Sequence, residues 1–291
     1  MLKGVLLGFA AFAAYAISDA FVKSLRGAVP AYEAVFIGAL LGLAALPFIR
    51  SPGDRWRDAF TANRPALWWI RAVSGAISNI GSVTAFTLLP MAEVFSLIFL
   101  MPIFVTLLSV LFLKEHVGWR RWTAVVVGFI GVLVVLRPGF RDLGLGHAAA
   151  IACGLASAAS VVALRLAGPH EKRLSLYGAG MTGPLLIGGA LMLPHFVWPN
   201  AGEWVLLAGY GLLAALAGVL LMYATLLAPA ARVAPTQYSQ MLWAIGFGYW
   251  LFGDHLDWPM LIGIVLILGA GLFTLVREEK VTPWWRRTKV I

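Results

Sequence analysis

The sequence predicts an all-α integral membrane protein of ten transmembrane helices, arranged as two inverted five-helix repeats. Composition, the length of the apolar runs and a pattern that occurs twice carry this prediction. Of 291 residues, 61% are hydrophobic and only 12% are charged, with a mean hydropathy of +0.87. So few charges do not cover a water-soluble surface. Ten apolar runs read at 3–24, 31–49, 66–88, 91–113, 120–136, 146–165, 174–194, 203–226, 232–252 and 258–276. Each is near the length that carries a helix across about 30 Å of hydrocarbon. Residues 86–119 recur as 225–258, an offset of 139 positions that pairs Pro90 with Pro229, Val94 with Val233, His116 with His255 and Trp119 with Trp258. Duplication of this kind in a membrane chain points to a transporter with two matched halves.

Taken in order, the first run lacks a small-residue cleavage signal and opens directly into the second, so it reads as a helix and not as a secretory leader. Its Tyr15, Ser18 and Asp19 are spaced to share a face. The third run repeats Ser74, Ser78 and Ser82 every four residues, with Asn79 adjoining. In the fourth, Phe95 and Phe99 form an i,i+4 aromatic pair, and Pro102 interrupts backbone bonding near midspan. The fifth and tenth runs are almost wholly apolar and rich in small groups, which suits close helix contact, including contact between protomers. The sixth places Cys153, Ser157 and Ser160 among alanines. The eighth offers Tyr210 and Tyr223 near opposite ends, where each is equally an interfacial anchor. The ninth carries Pro235, Gln237, Tyr238, Gln240, Met241 and Trp243.

Ten crossings put both termini on one side, and 18 of the 22 Lys and Arg residues then share that side. Only Lys23, Arg26, Arg137 and Arg141 fall opposite, so the termini are expected in the cytoplasm. The organisation follows as a first repeat at 1–138, a second at 144–277 and a cytoplasmic tail at 278–291. Five is odd, so the second repeat enters from the other side: Glu115–His116 ends the fourth helix at the cytoplasm and Asp254–His255 ends the ninth at the periplasm. The net charge of +9 lies in connectors, which favours membrane orientation over a nucleic-acid partner. One cysteine excludes an intramolecular disulfide and a cysteine metal cluster, and Cys153 reads as a small packing residue. No phosphate loop, dinucleotide fingerprint or His–acid metal motif implies a cofactor or metal. The histidines are scattered at connectors, which argues against an enzyme.

Two acidic residues, each following the fourth helix of a half, carry a resemblance. Glu115 is followed nine and sixteen positions later by Ala124 and Gly131, and Asp254 by Gly263 and Ala270. In this the chain resembles the drug/metabolite transporter superfamily, specifically its ten-helix EamA-type carriers, and within them the bacterial aromatic amino acid exporters. Ala124, Asp254 and Ala270 depart from the glycine and glutamate more usual there. The resemblance covers nearly the whole chain. It implies a bacterial inner-membrane carrier whose central cavity is lined mainly by helices 1, 3, 4, 6, 8 and 9, with helices 5 and 10 peripheral, and it implies export.

Polar side chains in apolar helices face protein or a wet cavity, because lipid contact is costly. Tyr15, Ser78, Asn79, Ser157 and Gln237 are therefore candidates to hold the polar atoms of a zwitterion, with Ser78, Asn79, Gln237 and Tyr238 expected to converge across the inverted repeat. Phe95, Phe99, Tyr238, Met241 and Trp243 are candidates to receive an apolar remainder. No Lys or Arg is secure at the middle of a cavity helix, which disfavours phosphorylated sugars. The expected function is secondary transport of neutral or aromatic amino acids and related amphipathic metabolites by alternating access. Broader drug or metabolite export is the second carrier reading, and a membrane-embedded enzyme or a helical scaffold are the readings from other classes. The expected partners are a small solute, the bilayer and, on the small-residue helices, a second copy of the chain.

Overall fold

The computed structural model describes residues 2–114, 118–137, 142–168 and 171–278. The pair Glu115–His116 and the residues beyond Glu278 lie outside the described residues. Those described are helical or connecting, and we number the helices in chain order as α1 (Leu2–Ser24), α2 (Ala31–Ile49), α3 (Pro65–Leu88), α4 (Met91–Phe112), α5 (Trp119–Leu136), α6 (Leu145–Ala167), α7 (Arg173–His195), α8 (Ala201–Leu227), α9 (230–252) and α10 (Trp258–Glu278). Six of these (α1, α2, α4, α6, α7 and α8) are long and apolar enough to cross a membrane, and α5 and α10 contain shorter apolar stretches. The polar residues of α3, Arg71 and the serines among them, separate it from the apolar six.

Proline and small residues set the interruptions. In α4 the helix stops after Ile98 and restarts at Met101, with Pro102 at its first turn. Proline brings no N–H to bond the preceding turn, and the carbonyls of Leu97 and Ile98 lie against Gly154 of α6. In α9, Pro235 opens a 3-10 turn over Ala234–Tyr238 before the α-helix resumes at Ser239. The two interruptions occupy corresponding places, since Phe99 and Tyr238 are 139 positions apart.

The packing pairs follow a pattern. The most extensive contacts join α1 to α8, α3 to α6 and α5 to α10, followed by α3 with α7 and α2 with α8. On the outer pair, Gly131 of α5 sits against the Gly263 carbonyl of α10, and Gly128 approaches Ala270. The small residues of these helices thus engage each other within one chain. Trp198 packs edge-to-face on Phe196 and Trp204, an aromatic group of the kind that settles at a membrane–water interface. At the opposite end, Lys172 binds Asp58 and Asp54 and holds the Asp58 carboxyl below its usual range through the hydrogen bond.

Candidate functional site

Two groups of predicted residues emerge, and the first belongs to an interior polar cluster, referred to below as the chamber. Tyr15 and Asp19 stand one turn apart on α1. Asp19 lies deep in the protein yet keeps part of its surface accessible, the combination expected of a group lining an internal space. It acts electrostatically on Tyr15, on Tyr210 of α8 and on Cys153 of α6, so side chains of three helices gather around it. Ser18 donates to the Tyr210 carbonyl at 2.8 Å and ties α1 to α8. Tyr177 of α7 donates to the Gly42 carbonyl at 2.7 Å, and its ring flanks Gly218 beside the Tyr15 hydroxyl.

The α3–α6 side of the chamber is hydroxylic. Ser78 is 2.7 Å from the Ser157 hydroxyl and 3.4 Å from the Cys153 sulfur. Asn79 is half-buried beside Ser78, with its amide nitrogen donating to Gly75 of its own helix at 2.8 Å. Nearer the α3 start, Arg71 donates from Nε to the Leu176 carbonyl and from Nη1 to the Ser160 hydroxyl, both at 2.9 Å. A deep carboxylate and a deep guanidinium thus stand at two depths, each outside any ion pair among the described residues. Cys153 is a buried free thiol, as its solitary place in the sequence suggests.

The second group forms a seam between α4 and α9. Phe95, Phe99 and Met241 are buried in the main core. Phe95 packs on Phe86 at 5.2 Å and on Phe99 at 6.0 Å between ring centroids, and Phe99 meets Tyr238 at 5.6 Å. Tyr238 turns its hydroxyl to Gly271 of α10 and Gln237 is half-buried beside it, while Ser78 turns to α6. Trp243 is 42% exposed and stacks on Phe247. The structure thus gathers Tyr15, Ser78 and Ser157 at the chamber and Phe95, Phe99, Tyr238 and Met241 at the seam, while Asn79 bonds its own helix, so Ser78 and Asn79 do not converge with Tyr238. Phe99 also borders a crevice with Pro102, Ala124, Gly128 and Ala270.

Sequence reasoning missed Tyr177 and Tyr210. Tyr210 is the tenth residue of α8, which at 1.5 Å per residue puts it roughly 14 Å from the helix start, well past an interface. That arithmetic was available from the run lengths. The interfacial reading fits Tyr223, which is 42% exposed, while Tyr210 reaches inward against Gly38 of α2. Two further interior contacts lie at the opposite end from the chain start. Glu93 of α4, buried to 1%, meets His147 of α6 at 3.1 Å. Asp254 accepts a hydrogen bond from the Met91 amide at 2.9 Å and pairs with Lys23 at 3.3 Å, while Lys23 donates to the Leu89 carbonyl at 2.7 Å.

An all-helical bundle with several membrane-length apolar helices and a cluster of polar side chains in its interior is the architecture of a membrane-embedded carrier. The EamA-like transporter family model matches residues 2–137 and 144–276, and the chain belongs to that family. It is 25% identical over 267 residues to an S-adenosylmethionine uptake transporter of Rickettsia prowazekii (strain Madrid E), covering 91% of this chain and 89% of the relative. It is 26% identical over 281 residues to the pseudopaline exporter CntI of Pseudomonas aeruginosa (strain UCBPP-PA14), covering 96% and 97%. A riboflavin transporter of Rhizobium johnstonii is 29% identical over 242 residues, covering 82% and 78%. One solved crystal structure superposes with a TM-score of 0.61 at 18% identity, covering 97% of this chain and all of the other, a likeness of fold. The family and these relatives are transporters and not enzymes. They support the superfamily, and their names do not extend to aromatic amino acid export.

Proposed function

We propose that this chain is a secondary carrier of the bacterial inner membrane that moves neutral or aromatic amino acids and related amphipathic metabolites by alternating access. The observation that carries the proposal is the chamber, where hydroxyls of α3 and α6, tyrosines of α1, α7 and α8 and the carboxyl of Asp19 offer polar partners to an amino acid. The Phe95–Phe99–Tyr238 seam lies on the helices assigned to the apolar remainder. Gln237, Met241 and Trp243 complete the proposed set on α9.

The architecture we assign is ten membrane-spanning helices in two inverted repeats, at 1–138 and 144–277, with 278–291 as a cytoplasmic tail. Its support is the pattern of packing partners. Exchanging each helix for its counterpart five places along turns α1–α8 into α6–α3 and α2–α8 into α7–α3, and returns α5–α10 to itself. Both termini are assigned to the cytoplasm from the basic residues. Outward transport of amino acids is our reading, since the relatives named above include both uptake and export proteins. Their three different solutes favour a broader metabolite carrier as the second reading.

Uptake and counterflow in proteoliposomes containing the purified chain test this. The expected result is saturable transport of at least one large neutral amino acid, tested against acidic and basic amino acids, riboflavin and phosphorylated sugars. Transport of a phosphorylated sugar with no amino acid moved would reverse the choice of substrate class.

A further inference from the structure

We propose that Asp19 is the anionic subsite of the chamber, and that it receives a cationic group, an ammonium, on the transported solute. This rests on the chamber being the solute site, as proposed above. The inference comes from how the described interior acids are accommodated. Glu33 accepts the Val197 amide, Glu93 meets His147 and Asp254 pairs with Lys23. Asp19 alone among these has neither a hydrogen bond nor an ion pair within the described residues. It is also accessible, while Glu33 and Glu93 are closed to solvent.

The nearby cations are engaged elsewhere. Lys23, one turn further along α1, is turned to Leu89 and Asp254, and Arg71 is turned to Leu176 and Ser160. Asp19 lies five residues before the end of α1, roughly 8 Å inside it. A carboxylate at such depth faces a partner charge or a cavity. The groups it acts on are the tyrosine hydroxyls of α1 and α8 and the Cys153 thiol, none of them a cation. An anionic group at this place finds no counter-charge, whereas an ammonium meets a carboxyl that has no partner among the described residues.

The test measures equilibrium affinity of purified, monodisperse protein for three probes: phenethylamine, which is a cation, its neutral near-isostere 2-phenylethanol, and L-phenylalanine. Wild type is expected to prefer the amine over the alcohol. Asp19→Asn is expected to weaken the amine about tenfold to a hundredfold, the loss that follows removal of one side of a charge-assisted bond, and to leave the alcohol unchanged. Asp19→Glu is expected to recover part of the preference. Equal loss for amine and alcohol in Asp19→Asn overturns the proposal, as does no loss for either. If the Asn variant does not remain monodisperse, the wild-type preference decides, and equal affinity for the two probes overturns it. Amine binding through Asp19 without L-phenylalanine binding supports the subsite and retires the amino acid reading. L-phenylalanine binding that ignores Asp19→Asn does the reverse.

Discussion

Gly183 of α7 stands so close to α3 that an added Cβ would collide with the Ala72 carbonyl. Backbone has little room to move on either side, because Ala72 is fully buried and packs with Trp68 and Ala179. Gly183→Ala is therefore expected to destabilise the folded protein by about 1–3 kcal/mol, the usual range for overpacking, read as a lower thermal midpoint in detergent. Gly180→Ala, where the same atom meets open space, is the matched control, and an equal fall in both would remove close approach as the cause. Nothing in the sequence distinguished these two glycines, since their difference is made by a helix more than a hundred positions away. The same holds for the chamber. Ser78 and Ser157 were legible as polar residues in apolar runs, and Tyr15 as a face-mate of Asp19. Tyr177 was not, because its inward direction depends on α7 packing against α3. Phe95 and Met241 were legible as large apolar groups, and only packing places them within the core.

At the scale of the element, α4 depends on a residue from another helix pair. Its first turn has orphan amides, and the Asp254 carboxylate supplies an acceptor to Met91 across 163 positions. Asp254→Asn keeps an acceptor and loses the attraction to Lys23, whereas Asp254→Ala loses both. The Ala variant is expected to lower the thermal midpoint more, by an increment corresponding to about 1 kcal/mol for a lost N-terminal cap. Equal midpoints for the two variants would show that the hydrogen bond to Met91 contributes nothing. The acid was visible in the sequence as a helix-ending residue of the second half, while its task at the start of α4 was not. The interruption of α4, by contrast, was legible in Pro102, which removes its amide from the ladder wherever the rest of the chain goes.

For the whole molecule, single cysteines read by a membrane-impermeant thiol reagent test the arrangement in a Cys153→Ala background. Substitution at Ser51 is expected to be reached from the cytoplasmic side and substitution at Asn200 from the periplasmic side. Labelling of both from one side would refute the proposed crossings. The apolar runs anticipated the six long apolar helices to within a few residues, because run length and burial in lipid obey the same limit. Which helices pair was not legible, since many apolar faces of similar composition compete for each partner.

The contact between Phe99 and Tyr238 has a further consequence under the proposed inverted repeat. These residues occupy equivalent places in the two halves, and their rings touch each other. Two positions that exchange under a two-fold operation and also meet lie beside its axis. A rocking motion that swaps the roles of the halves carries this contact onto itself, so it behaves as a fulcrum common to both orientations.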